Sequence, residues 1–263
     1  LYNRVDRLIN WYLEEYVTLT PDQQGRFDAR LDNLLTWHRE FELPVYIETI
    51  DDSISILDAV FTIDSARVLA ERVEAAVIRL QDQLLNLLLD TAQDLNQGQR
   101  QAFLDVLVSK QAALEIEKLQ REDEKYQSEI ISRLKKQLRR YLGPLTEQQV
   151  ERIHKGVSEM TRLDRLWLEY RRESIANLSA IILAGDPEWP NQVRALITGR
   201  NTAKMPTYEV GLNHNAEIIL VLLRDVVAER TEKQDRKLRS RLTSLRNDLE
   251  VLLVTSSSGI TVD

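Results

Sequence analysis

Apolar residues recur at helical spacing along almost the whole chain, and this pattern constrains the fold more than any other feature. Leu8, Tyr12 and Tyr16 begin the series. A 3.6-residue repeat predicts amphipathic α-helices that bury their apolar stripes against one another. The 263 residues include 8 glycines and 6 prolines, too few for a turn-rich β fold. The sequence therefore predicts an all-α fold, an elongated assembly of long helical hairpins.

A short pattern, Leu-(Thr/Asn)-x-x-Gln, marks several of the predicted helix starts. Thr or Asn at the N-cap accepts a hydrogen bond from a free backbone N–H, and the glutamine reaches back to the N–H of the cap. Four copies indicate duplicated hairpins, although their uneven spacing argues against a regular solenoid. The copies are Leu19–Gln23, Leu95–Gln99, Leu145–Gln149 and a weaker one at Thr231–Gln234, where Arg230 replaces the leucine.

The same pattern gives provisional helix boundaries. One long helix is expected from the Asn96 cap to Tyr141, and a second from Thr146 through Leu178, ending at Gly185-Asp186-Pro187. Pro44 should kink or end the second helix of the chain. Other expectations are a short helix at Asn191–Ile197, an irregular stretch at 199–213, and a last helix or pair at 216–253. The expected domain is 1–255, with possible sub-units 1–142 and 143–255, followed by a flexible polar tail, 256–263.

The residue types needed for common chemistries are absent or scattered. The chain has no cysteine, so thiolate zinc sites and cysteine nucleophiles are excluded. Its three histidines, His38, His154 and His214, lack metal-ligand spacing. No nucleophile elbow, phosphate loop or dinucleotide fingerprint occurs. We therefore expect no cofactor, no bound metal and no enzyme activity.

Two basic clusters stand out against a net charge of −7. Arg133, Lys136 and Arg140 fall on one helical face, opposite an apolar face. The negative net charge and the lack of nearby aromatic residues disfavour nucleic acid. The clusters are either solvated faces or contacts for anionic lipid headgroups or lipopolysaccharide phosphates. The second cluster consists of Lys233, Arg236, Lys237, Arg239 and Arg241.

The densest mixture of aromatic and polar residues lies between Trp37 and Tyr46. These aromatic residues either pack in the core beside Pro44 or line a groove as binding anchors, since Trp, Tyr and Arg dominate interface hot spots. Trp11 has the same two interpretations. The candidate binding residues are Trp37, His38, Arg39, Glu42, Tyr46 and Trp11.

Two resemblances bear on function. Leu-Thr-x-x-Gln resembles the motif of the Spy-like periplasmic stress chaperones. Five segments of the chain resemble segments of a family of uncharacterised proteobacterial lipoproteins. These segments are Tyr2–Asp6, Leu19-Thr20-Pro21, Trp37-His38-Arg39, Glu42-Leu43-Pro44 and Tyr141–Thr146. That family implies a signal peptide and a lipid-bearing cysteine before Leu1, and so a lipid anchor in the outer membrane. It brings no established activity.

These observations favour a non-enzymatic, lipid-anchored protein of the periplasm that binds an envelope protein or acts as a scaffold. A Spy-like holdase is the alternative, and an enzyme of unknown type is a third. We expect helix packing to use most of the apolar stripes, leaving little apolar surface for unfolded clients.

Overall fold

The regular structure of the chain is helical. A computed structural model describes residues 5–199 and 206–257, and no β-strand occurs among them. This confirms the predicted all-α, multi-helix fold. The elements are α1 Val5–Glu14, α2 Pro21–Trp37, a π-helical turn His38–Glu42, α3 Leu43–Ile56, α4 Ile63–Gln93, α5 Gln97–Leu119, α6 Asp123–Leu142, α7 Glu147–Glu159, α8 Asp164–Leu183, α9 Trp189–Thr198, α10 Pro206–Ala228 and α11 Glu232–Ser257.

The two long helices predicted from the sequence are each broken, so those boundaries were wrong. The first is divided into α5 and α6, and the second into α7 and α8. Distant side chains satisfy the backbone groups that the breaks release. The guanidinium of Arg162 donates to the Lys118 carbonyl near the end of α5, at 3.0 Å. Asn215 bonds both the N–H and the carbonyl of Thr161, each at 2.8 Å.

The remaining boundaries agree with the structure in part. The short helix α9 and the final pair, α10 and α11, are confirmed. Part of the expected irregular stretch is wrong, because α10 already begins at Pro206. Residues 200–205, residues Tyr2–Arg4 of the lipoprotein resemblance and tail residues 258–263 lie outside the described residues.

The described chain forms two compact units, neither of which is continuous in sequence. Unit 1 comprises Leu1–Leu35, Leu80–Gln120 and Arg162–Gly211; unit 2 comprises Thr36–Arg79, Arg121–Thr161 and Leu212–Asp263. A core of unit 1 joins α4, α5, α8 and α9 through residues such as Leu104 and Trp189. A core of unit 2 joins α6, α7 and α10 through residues such as Ile153 and Val226. The single domain at 1–255 stays a prediction.

All four capping motifs are helix caps, as predicted. Thr20 and Asn96 accept a bond from the backbone N–H three residues on, at 3.3 and 2.9 Å. Thr146 and Thr231 do the same at 3.2 and 3.3 Å. In each motif the side-chain oxygen of the glutamine accepts a hydrogen bond from the backbone N–H of the cap residue. Each cap thus satisfies two N–H groups that a helix start leaves without a partner.

The caps also pair with one another through their glutamines, which the sequence did not predict. In unit 1, Gln23 and Gln99 exchange two amide bonds of 3.0 and 2.7 Å. Their remaining amide hydrogens go to the carbonyls of Asp94 and Thr18. With the bonds to the caps, every donor and acceptor of both amides is used. We call this arrangement the first glutamine pair.

Unit 2 repeats the arrangement. Gln149 and Gln234 exchange amide bonds of 3.1 and 2.9 Å and donate to the carbonyls of Val226 and Pro144. An ion pair lies beside each glutamine pair. Its arginine is three residues after one of the two glutamines, and its acidic partner is two residues before the cap residue of the other motif. These ion pairs are Arg26–Asp94 in unit 1 and Arg152–Glu229 in unit 2. Each unit therefore contains the same double cap, and we call the Gln149–Gln234 arrangement the second glutamine pair.

Candidate functional site

The Trp37–Tyr46 segment contains an irregular helical turn whose cause is local. Leu43 N–H bonds the carbonyl of His38, five residues back, which defines the π-helical turn. Pro44 follows directly; it has no N–H, and its ring would clash with the Glu40 carbonyl in a regular α-helix. The wider turn removes that conflict and lets α2 continue through to α3. The predicted kink at Pro44 is thus a π-helical turn.

An ion pair between the buried Glu42 and the partly exposed Arg79 holds this turn in place. Glu42 is 1% exposed, and its two carboxylate oxygens accept bonds of 2.6 and 2.9 Å from Arg79 of α4. The hydrogen bond to Glu42 raises the pKa of Arg79. Removing one partner of such a pair leaves a desolvated charge, which costs several kcal/mol. Glu42 therefore fixes the turn from inside unit 2 and does not lie on its surface.

The turn presents aromatic side chains at different depths. Phe41 is 62% exposed, whereas Trp37 and Tyr46 are half-buried. The His38 and Tyr46 rings meet edge to face, with centroids 5.5 Å apart. Burial lowers the pKa of His38, and burial followed by the nearby Glu42 raises the pKa of Tyr46. We define the turn surface as Trp37, His38, Arg39, Phe41 and Tyr46.

Most of the candidate binding residues lie together on or beneath the turn surface, and one lies elsewhere. Trp11 belongs to α1 in unit 1, where it is exposed beside Leu8 and Tyr12. The candidate set omitted Phe41, the most exposed aromatic residue of the turn, and Arg79, the partly exposed partner of the buried Glu42. Phe41 stood within the segment that the sequence singled out. Nothing in the sequence pointed to Arg79, which lies 37 residues from Glu42.

The three histidines do not meet. His154 contacts Lys135 at 2.8 Å, and His214 contacts the Glu159 carbonyl at 3.1 Å. His214 also lines a groove of about 280 Å³ between α7 and α10, beside Gly156 and Leu222. In the part of the chain that the structure describes, no group of three or more potential metal ligands occurs. The expectation of no bound metal stays a prediction.

The fold and the turn surface define an all-helical protein whose candidate site is an exposed aromatic turn. Residues 15–208 match the family of unknown function DUF6279, and since this range covers most of the chain, the protein belongs to that family. The match includes the turn surface and α6 but not Trp11 or α11. No curated protein and no solved structure matches the chain. Among the described residues, no helix is long and apolar enough to span a membrane.

Proposed function

We propose that this protein is a non-catalytic envelope protein that binds another protein through the turn surface. The observation that carries the proposal is Phe41, an aromatic side chain that is 62% exposed although it is part of a turn fixed from below by Glu42 and Arg79. Because the backbone of the turn is already fixed, a partner that covers the ring has to order only the side chain, which limits the loss of conformational entropy. Aromatic and arginine side chains are also the most frequent anchors of protein interfaces.

The rest of the turn surface suits the same role. Arg39 is close in sequence to the exposed ring, and Trp37 and Tyr46 are half-buried, so both rings can add contact area. A central aromatic anchor surrounded by polar groups is the usual composition of an interface hot spot. The resemblance to proteobacterial lipoproteins supports placing the protein and its partner in the periplasm, with a lipid anchor in the outer membrane.

Affinity capture from envelope extract tests the proposal. Wild-type protein, Phe41→Ala and the control Leu88→Ala are immobilised, and mass spectrometry identifies the retained proteins. Leu88 is also an exposed apolar residue, but it belongs to unit 1. We expect one protein to be retained by wild type and the control and lost with Phe41→Ala. Equal retention by all three folded proteins would reject the turn surface as the binding site.

A second proposal is a holdase, and exposed apolar residues of unit 1 favour it. Val108, Ile116 and Leu119 form one exposed stripe on α5, at positions separated by eight and three residues. The exposed Leu8 and the neighbouring aromatic residues of α1 add to the apolar surface of unit 1. These residues are apolar surface that helix packing leaves exposed, contrary to the expectation that packing uses most of the apolar stripes. Exposed contiguous apolar surface is what a holdase needs to shield unfolded chains.

Aggregation of a denatured model substrate separates the two proposals. If the protein is a holdase, equimolar wild type suppresses light scattering, and Val108→Ser/Ile116→Ser weakens the suppression. If it is a partner-specific scaffold, wild type leaves the scattering unchanged. Phe41→Ala is the control, because the holdase proposal predicts no effect of that change.

A further inference from the structure

Two basic clusters that are about 100 residues apart in sequence meet within unit 2. Helices α6 and α11 pack together, since Leu238 of α11 joins the core that contains Leu138 and Leu142. The second glutamine pair also links them, because Gln234 at the start of α11 donates to the Pro144 carbonyl just after α6. The basic residues of both helices are therefore positioned by the same packing.

Lys237 shows how closely the clusters approach. A Cβ built on Gly143 would lie 3.3 Å from the Lys237 Cδ and 3.8 Å from its Nζ. Gly143, with a φ of 86°, ends α6. The ammonium group of Lys237 thus lies beside the C-terminus of α6, where the helix dipole favours positive charge. The basic residues of α6 and those of α11 are therefore neighbours at this point.

The cations of α6 point to solvent, and the second half of the helix carries no acidic residue. Between Ile130 and Thr146 the sequence contains five basic residues and no acidic one. Those on the side of α6 opposite its buried leucines are exposed: Arg133, Lys136, Arg139 and Arg140. Glu129, one turn before Arg133, bonds Arg121 and pairs with Arg133 at the far end of this face.

The basic residues of α11 fall into three groups, and one of them, Arg236, pairs with the exposed Glu232. Those facing α3 are neutralised: Arg239 pairs with Asp235 and Asp58, and Arg246 pairs with Asp51. Lys233, Lys237 and Arg241 are exposed, and none of them has a carboxylate partner among the described residues. We define the cationic face as Arg133, Lys136, Arg139, Arg140, Lys233, Lys237 and Arg241.

We propose that the cationic face binds the phosphate groups of an anionic lipid bilayer. Groups of four to eight Lys and Arg residues on amphipathic helices attract anionic headgroups, and their long side chains adapt to a fluid surface. A single-stranded nucleic acid would require exposed aromatic rings for stacking. The only aromatic residues of α6 and α11, Tyr126 and Tyr141, are half-buried. Because the whole chain carries a net charge of −7, the residues outside the cationic face are net negative, and this asymmetry favours an orientation with the cationic face toward the membrane.

Vesicle co-sedimentation tests this proposal independently of any protein partner of the turn surface. The full chain is mixed with vesicles of phosphatidylglycerol and phosphatidylcholine, or of phosphatidylcholine alone. We expect binding to the anionic vesicles only, and its loss at high salt, since exposed charges are screened. Lys136→Glu/Lys237→Glu should weaken binding about tenfold or more. Lys136→Gln/Lys237→Gln should weaken binding less, and this variant replaces the Glu variant in the test if the Glu variant does not fold.

The matched control is Arg7→Glu/Arg165→Glu, which changes the net charge equally through two exposed arginines of unit 1. The control should bind like wild type. Equal weakening by both charge-reversed variants would reject the cationic face, because net charge alone would then explain the binding. Equal binding to neutral vesicles, or binding to an oligonucleotide at physiological salt without binding to anionic vesicles, would also reject the proposal.

Discussion

Replacing Gln149 with leucine tests whether the second glutamine pair stabilises unit 2. The Gln149 side chain is fully buried and makes four hydrogen bonds. It donates to Val226 and Gln234, and it accepts from Gln234 and from the Thr146 N–H. Leucine has a similar size but makes none of these bonds, so buried polar groups of all three partners lose a bond.

The magnitude follows from those four bonds. At about 1 kcal/mol net for each bond, their loss costs about 4 kcal/mol. Burying the apolar leucine recovers about 1–2 kcal/mol. We therefore expect Gln149→Leu to lower the free energy of unfolding by about 2–3 kcal/mol. Gln149→Leu/Gln234→Leu should cost about 1–2 kcal/mol less than the sum of the single changes, because the two reciprocal bonds are lost only once.

Urea unfolding followed by far-UV circular dichroism measures these differences. Gln148→Leu is the control. This exposed neighbour donates one hydrogen bond of 3.3 Å to a carboxylate oxygen of Glu229 at the surface. Its replacement should cost less than about 0.5 kcal/mol. Gln23→Leu, the equivalent change in unit 1, should be destabilising as well. A loss below about 1 kcal/mol for Gln149→Leu, or strict additivity with Gln234→Leu, would refute the stabilising role of the pair.

Three further predictions concern single positions. Thr146→Ala should lower the free energy of unfolding by about 1 kcal/mol, since it removes an N-cap; an unchanged urea midpoint would contradict this. Gly25→Ala should raise the free energy of unfolding by about 0.5–1 kcal/mol, because Gly25 lies inside α2 and a Cβ would meet nothing within 4 Å; a lower midpoint would contradict it. The Arg152 hydrogen bond lowers the pKa of Glu229 from its ordinary 4.5, so this pair contributes stability above about pH 4.5 that is lost as the pH falls through the lower folded-state pKa. Urea midpoints across acidic pH should therefore fall less steeply for Glu229→Gln than for wild type, and parallel curves would contradict this.

The candidate site could be predicted from the sequence to the extent that it is local. Four of its residues lie together because they are neighbours on one helical segment: Trp37, His38, Arg39 and Tyr46. The irregular turn could be predicted from Pro44. The burial of Glu42 and the exposure of Phe41 were not predictable. Both depend on which side of the segment α4 covers, and Arg79 is supplied by that helix. Phe41 and Glu42 thus lie in environments opposite to those that their residue types favour.

The sequence by itself determined the helical class and the positions of the caps. Helical periodicity and capping boxes act over a few residues, so Thr20, Asn96, Thr146 and Thr231 could be recognised without knowledge of the fold. Only the tertiary structure decided which caps pair, because the reciprocal bond from Gln149 to Gln234 joins residues 85 positions apart.

The tertiary structure also decided where the long helices break. Residues near Arg121 and Arg162 are ordinary helix formers, and a helix that continued through them would satisfy its own backbone groups. The breaks persist because Arg162 and Asn215 supply those bonds from a distance. Local propensity cannot encode a partner that folding brings in from another part of the chain.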